Sequence, residues 1–279
     1  MPNYRAGLPP ISSGFAALDK ILRGGFRPDC VYIVGGRTGT SKSTFVLNIA
    51  RKVALDGHGV LVFKLEEAPR EAVWRIHAAA SQVPLNRLLD GPAGPASEDG
   101  NKLADGADLI RDLPVRFSAN RHLEHIQRIS RAHVEAGGKL IILDQLSMIT
   151  VAGTDNQYQA TTAASNTLRL LAVQLHVPIV VVAQINRLAS RNNACLTVND
   201  LRDSGHLEND AAAVILINRI REPDGAGWSG CELTRYLDII IAKNRYGPTT
   251  DPADPLTLQW WPALCRIEDV VRDVTEAEP

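Results

Sequence analysis

Five short apolar runs, each too continuous to leave one face in water, restrict what this chain can become. They are CVYIVG from Cys30, GVLVFKL from Gly59, KLIILD from Lys139, VPIVVVAQ from Val177 and AAVILIN from Ala212. A strand with one wet face alternates apolar and polar residues, whereas an uninterrupted run needs cover on both sides. A sixth run, LDIIIAKNR from Leu237, is followed by PLTLQW from Pro255, and these two predict a terminal β-hairpin.

The segments between the early runs carry helix signals. SKSTFVLNIARKVALDG has apolar residues at helical spacing and stops at Gly57. PREAVWRIHAAASQ places Pro69 near a first turn, where its fixed φ and missing N–H do no harm. RHLEHIQRISRAHVEAGG ends on Gly137 and Gly138, and QATTAASNTLRLLAVQLH leads into the run at Val177. Strand–helix alternation at this spacing predicts βαβ units. The expected fold class is α/β, a mostly parallel central sheet with helices on both faces and a C-terminal β-hairpin. Three stretches read as loops: DGPAGPASEDGNKLADG from Asp90, VAGTDNQYQ from Val151 and NRLASRNNACLTVNDLRDSGHLEND from Asn186. The last is long for a compact domain, and such loops are often functional. No stretch has the composition of a domain linker. One domain is expected over 11–267, with an N-terminal arm at 1–10 and an acidic tail at 268–279 that frays.

Composition excludes several classes. With 45% hydrophobic residues in 279, one sizeable core is available. A net charge of -1 gives no global basic field for nucleic acid or membrane, although a local basic patch remains compatible with it. Cys30, Cys195, Cys231 and Cys265 lack metal-ligand or redox spacing and read as reduced thiols. The start MPNYRAGLPPISSG has no apolar signal region, and no run reaches the ~18 apolar residues of a membrane span. The expectation is a cytoplasmic protein with no membrane partner.

The stretch IVGGRTGTSKSTFVLNIA from Ile33 joins a strand to a helix through a glycine-rich turn. It follows the phosphate-loop pattern G-x-x-x-x-G-K-[S/T] with one change: Ser41 stands at the second glycine. A strand–loop–helix arrangement aims backbone N–H groups and a helix dipole at an anion. Gly36, Arg37, Thr38, Gly39, Thr40, Ser41, Lys42, Ser43 and Thr44 are therefore the candidate nucleotide-binding residues, with ATP and Mg²⁺ as the cofactors. Lys42 would reach the β and γ phosphates, and the Ser43 hydroxyl would bind the metal. Serine at position 41 adds only a Cβ and a hydroxyl, so it retunes the loop more readily than it destroys it. The alternative is a plain glycine-rich turn before a core helix, and the strand and helix that flank the pattern weigh against it.

Three other strand ends carry polar groups. Asp144 closes LIILD and is a candidate metal ligand through water, although a turn or helix-cap aspartate would also fit there. Glu66 ends VLVFKLE, and a carboxylate there could orient or deprotonate the attacking water; Glu67 beside it would face elsewhere, and the preference for Glu66 rests on the resemblance described below. Gln184 ends PIVVVAQ and could sense the γ-phosphate. In open parallel sheets ligands bind at the carboxyl edge, which is where these ends meet.

With these motifs and SSGFAALDKILRGGFRP, LIILDQLSMI, VAQINR, NDLRDSGHLENDAAAVILINR and IIIAKNRYGP, the chain resembles the C-terminal RecA-like motor domain of the DnaB-family replicative helicases. The similarity runs from about Ile11 to Ile267. It implies a RecA-like P-loop NTPase, an ATP-dependent DNA helicase motor that binds single-stranded DNA in the channel of a homo-oligomeric ring, with a hexamer favoured. It also implies DNA contacts by Arg202, Asp203, Ser204 and Gly205 in the NDLRDSG loop. Arg245 becomes an arginine finger for the neighbouring subunit's ATP, and Lys243 its helper. The resemblance starts near the first residues, so the expectation is a motor domain without the family's N-terminal domain and docking helix. Assembly would then depend on nucleotide, DNA or a replication or regulatory protein partner. The alternative is a nucleotide-dependent DNA- or partner-binding module with weak or no hydrolysis. A KaiC-like or RadA-like ATPase is a third reading; the NDLRDSG loop argues against a KaiC-like clock kinase.

Overall fold

A computed structural model describes residues 8–91, 94, 97–154, 156–185, 207–222, 232–252 and 254–270. The apolar runs become strands β1 (Val31–Gly36), β2 (Gly59–Lys64), β4 (Gly138–Asp144), β5 (Ile179–Gln184), β6 (Ala213–Glu222) and β7 (Glu232–Asn244). The helices between them are α2 (Lys42–Leu55), α3 (Pro69–Ser81), α6 (Leu123–Glu135) and α7 (Gln157–Leu175). Short α1 (Ala16–Ile21), α4 (Leu85–Asp90) and α8 (Leu207–Asp210), together with α5 (Glu98–Arg111), complete the α-helices among the described residues. Strands β3 (Val115–Ser118), β8 (Leu256–Trp261) and β9 (Arg266–Asp269) complete one nine-stranded sheet in the order β3-β2-β4-β5-β1-β6-β7-β8-β9.

The first six strands of that order run parallel, and β7, β8 and β9 are antiparallel to their neighbours. Alternation along each strand separates two cores. Tyr32, Val34, Val60, Val62, Ile142 and Val182 pack against Phe45, Ile49 and Ile76 of α2 and α3. Ile33, Leu61, Phe63, Ile141, Leu143 and Val181 pack against Ile126 of α6 and Leu168 and Leu171 of α7. Cover on both faces explains the unbroken apolar runs: each residue of β1 is buried. Burying a side chain such as Phe45 or Ile33 contributes roughly 1.5–3 kcal/mol relative to leaving it in water.

Three sequence readings change. The stretch from Asp90 to Gly106, read as a loop, is helical from Glu98 onward. The Ser97 side chain accepts from the Gly100 N–H at 3.0 Å and caps that helix, and Glu98 and Asp99 sit in its first turn where the dipole favours acids. Gly106 lets α5 approach α3: a Cβ there would lie 2.6 Å from the Ser81 Cβ. The terminal hairpin of β7 and β8 gains a third strand, because β9 pairs with β8. Glu268 and Asp269, assigned by sequence to the tail, lie on β9; Glu268 pairs with Arg51 at 3.2 Å and with Lys52, and Asp269 accepts from the Ala16 N–H at 2.9 Å. Residues 271–279 and 1–7 lie outside the described residues.

Candidate nucleotide site

The turn from β1 into α2 is built by backbone conformation. Gly36 has no room for a side chain, since a Cβ would meet Thr40 Oγ1 at 2.6 Å and the Ile217 carbonyl oxygen at 2.9 Å. Ser41 precedes α2 with φ 68° and ψ 23°, in the left-handed region, and its side chain makes no capping hydrogen bond. That conformation is why glycine is usual at this position: the Cβ of any other residue crowds the following carbonyl. Serine holds the turn at a strain cost of about 1–2 kcal/mol.

Lys42 is almost buried at 9% exposure, and its Nζ donates to the Arg37 carbonyl oxygen at 2.8 Å. The Thr40 hydroxyl donates to the same oxygen at 2.8 Å. Burial lowers the Lys42 pKa below the usual lysine range, and the charges of Asp144 and Glu66 partly offset that. The two carboxylates therefore lie close enough to Lys42 to act on its charge. The structure thus brings Lys42, Asp144 and Glu66 together at the carboxyl edge of the parallel strands, with Ser43 next in the chain. Gln184 joins them, because its amide Nε2 donates to the Thr38 hydroxyl of the loop.

The adjacent glutamates differ in their surroundings. Glu67 is engaged, accepting from Arg75 at 2.8 Å with Lys64 at 3.5 Å. Burial opposes its ionisation, but the Arg75 hydrogen bond and the two positive charges outweigh that and hold its carboxyl below the usual glutamate range. Glu66 is exposed at the strand's end. The donors available to a metal are the half-buried Ser43 hydroxyl and the buried Asp144 carboxylate, hard oxygens of the type Mg²⁺ takes. The donor chemistry therefore fits the ion.

Arg245 and Lys243 are not at this edge. Asn244 on β7 pairs with Ala213 at the start of β6, while Gly36 pairs with Ile217, which in turn pairs with Ile239. β7 runs antiparallel, so its last five residues carry the chain ~17 Å toward the opposite edge. There the Arg245 N–H donates to the Ala212 carbonyl at 2.7 Å, and Lys243 Nζ donates to the Asn209 carbonyl at 2.7 Å. The turn is pinned beneath α1: Asn244 Nδ2 donates to the Ile21 carbonyl at 3.1 Å, and a Cβ on Gly247 would sit 2.4 Å from that oxygen. Arg245 is exposed. Neither residue can serve its own chain's loop from there. Arg202, Asp203, Ser204 and Gly205 lie outside the described residues.

Two residues at the site were not singled out by sequence. Lys64 ends β2 and forms an ion pair with Asp144. Its signal was a lone charge closing an otherwise apolar run. Arg219 on β6 donates to the Gly39 carbonyl at 3.2 Å and lies over the Trp260 ring at 4.3 Å, tying the C-terminal strands to the loop. No sequence pattern flags that pair, which is made by strand register.

The family described as DnaB-like helicase C terminal domain matches residues 10–268. The replicative DNA helicase DnaB of Leifsonia xyli subsp. xyli is 31% identical over 246 residues, a match covering 86% of this chain and 52% of that protein. The DnaB of Pasteurella multocida is 32% identical over 250 residues, covering 87% and 52%. The chain thus spans about half the length of these curated relatives. Among solved structures, a DnaB-like replicative helicase, described with its interactions with primase, superposes with a TM-score of 0.83 at 21% identity, covering 95% of this chain and 63% of that one. A KaiC-like protein from Pyrococcus horikoshii superposes at 0.62 with 16% identity, covering 94% and 98%. At such identities the likeness is one of fold, and the fold is RecA-like. Among the described residues no helix is long and apolar enough to cross a membrane.

Proposed function

Because the chain belongs to the DnaB-like helicase C-terminal domain family, we propose that it is an ATP-hydrolysing helicase motor acting on single-stranded DNA from a homo-oligomeric, hexameric ring. The observation that carries this reading is the meeting of Lys42, Glu66, Asp144 and Gln184 with the phosphate loop at one sheet edge. In this reading the loop's N–H groups and Lys42 take the phosphates, displacing the internal bond to Arg37. Glu66 orients a water and accepts its proton as the oxygen attacks the γ-phosphorus, and ADP leaves. Ser43 and Asp144 would hold Mg²⁺, which supplies charge neutralisation on the phosphate oxygens. Gln184 reports the γ-phosphate to the loop through Thr38. Arg245 and Lys243, at the far edge, act on the next subunit's nucleotide.

The DNA contact is assigned to Arg202, Asp203, Ser204 and Gly205. Arginine can take a phosphate bidentately, and a glycine lets the backbone approach. Contacts of this kind predict binding that is nearly sequence-independent and falls steeply with salt. A replication or regulatory protein is a further candidate partner. The test is ATP hydrolysis with and without single-stranded oligonucleotide, alongside fluorescence anisotropy in an ATP analogue. Arg202→Ala should lose affinity and DNA stimulation while keeping nucleotide binding. Unchanged affinity and salt slope would remove the DNA role from that loop.

A second reading has its own support. The left-handed serine in the loop and the Lys64 ion pair on Asp144 both favour slow turnover, as in a nucleotide-dependent binding module with weak or no hydrolysis. Basal and DNA-stimulated rates both indistinguishable from Lys42→Ala would favour that module.

A further inference from the structure

The Lys64–Asp144 pair lies at the point where the site needs a divalent cation. The two residues are opposite one another in the register of the parallel strands β2 and β4, and the Leu65 N–H donates to the Asp144 carbonyl at 2.7 Å. Their side chains are 1% and 2% exposed, so neither charge is shared with solvent. Lys64 also faces Glu67 at 3.5 Å, but Glu67 has its own closer partner in Arg75 at 2.8 Å. Asp144 is therefore the main counter-charge of a fully buried ammonium.

We propose that Lys64 is a built-in counter-cation and positioning residue for the metal-site carboxylate. It fixes Asp144 in the folded protein without metal and weakens the protein's own attraction for a divalent ion. The ion then enters with the nucleotide phosphates instead of being held by the empty protein. The inference rests on the nucleotide reading above and deepens it. Electrostatics gives the direction. An ammonium within a few ångströms of a carboxylate cancels much of its field, and in a buried setting this cancellation is poorly screened. The strand register gives the cause: Lys64 is in the sheet and not on a mobile loop, so it cannot withdraw when metal approaches without breaking buried packing.

Lys64→Met removes the charge while keeping an unbranched side chain of similar length. The reading is Mn²⁺ binding to nucleotide-free protein near pH 8, followed by the electron paramagnetic resonance signal of free Mn²⁺. The expected result is tighter binding than wild type by about tenfold or more, lost again in Lys64→Met with Asp144→Asn. Mn²⁺ should also raise the melting temperature of Lys64→Met more than that of wild type. Should Lys64→Met fail to fold, Lys64→Gln, which keeps a hydrogen bond to Asp144 without the charge, gives the same comparison. Equal or weaker Mn²⁺ affinity in the folded variant overturns the proposal. Binding of a fluorescent ADP analogue in the presence of Mg²⁺, with Lys42→Ala as control, separates the two failures. If wild type does not bind the analogue, the nucleotide reading itself falls. If it binds and Mn²⁺ affinity is unchanged by the substitution, only the role of Lys64 falls.

Discussion

The Lys42 ammonium donates to the Arg37 carbonyl oxygen of its own loop at 2.8 Å. That oxygen holds the cation where a phosphate would otherwise hold it, and the buried lysine keeps a partner in the absence of ligand. Nucleotide binding must exchange this bond for one to phosphate. Lys42→Ala should therefore abolish hydrolysis and weaken ADP and ATP binding. Glu66→Ala should bind nucleotide as wild type does and lose turnover, because Glu66 is exposed just beyond the end of β2. A titration with fluorescent nucleotide beside a phosphate-release assay separates the two. Normal turnover in Glu66→Ala would move the base assignment elsewhere.

Ser41 sits at φ 68°, so replacing it with glycine relieves a strained backbone. Relief of about 1–2 kcal/mol is partly offset by the ~0.5–1 kcal/mol that glycine costs in unfolded-chain entropy. Ser41→Gly should be more stable than wild type by up to about 1.5 kcal/mol in urea unfolding. Hydrolysis should change within about tenfold, equivalent to ~1.4 kcal/mol of barrier. A much larger gain in rate would show that serine cripples the loop.

The legibility of the fold followed burial. β1, β2, β4, β5 and β6 were readable because both faces of each are covered, which leaves an unbroken apolar run. β3 is at the sheet edge and half-exposed, with the short sequence VRFS, and β9 reads RIED; neither has a periodic signal. The site divides the same way. Lys42, Glu66, Asp144 and Gln184 stand at strand ends or in a pattern fixed by local backbone. Lys64 and Arg219 act through neighbours distant in sequence, Asp144 and Trp260, which only strand pairing identifies.

α5 was missed because its sequence contains Gly100 and Gly106 and follows a proline-rich stretch. Gly106 is there for packing: a Cβ would lie 2.6 Å from the Ser81 Cβ and 2.8 Å from its Cα. Helix propensity favours alanine over glycine by roughly 1 kcal/mol, yet the overlap is with backbone and cannot be relieved by a rotamer. Gly106→Ala should therefore destabilise the protein, by about 1–3 kcal/mol. Urea unfolding with an unchanged or higher midpoint would mean that α3 and α5 separate freely.

His133 on α6 is 4% exposed, and its ring lies so close to Gly138 that a Cβ there would be 2.1 Å from Nε2. Burial, aided by the charge of Arg116, lowers its pKa below the ordinary histidine value of 6.5. The unfolded chain then binds a proton more readily than the folded one. Stability from the neutral ring is fully present above about pH 6.5 and falls as acid approaches the lowered folded value. Between about pH 7.5 and pH 5.5 the melting temperature of His133→Phe should fall less than that of wild type. Equal falls in the two proteins would remove His133 from the acid response.

Arg245 and Lys42 occupy opposite edges of one sheet, which fixes how subunits must cooperate if Arg245 is a finger. The β6–β7 register takes Arg245 away from its own loop, and the bonds of Asn244 to Ile21 and of the Arg245 N–H to Ala212 hold it there. An arginine finger is worth about 10³ or more in rate. Arg245→Ala alone and Glu66→Ala alone should each be nearly inactive. In mixed assemblies some interfaces bring an intact Glu66 from one chain to an intact Arg245 from the other, and those interfaces should hydrolyse ATP. Recovery should follow the mixing ratio and peak near equal amounts, when composite interfaces are most numerous. Subunit exchange is verified by mass measurement with differently labelled chains. With exchange verified and the rate no greater than that of either variant alone, action in trans is excluded, and Arg245 becomes a structural arginine of the turn beneath α1.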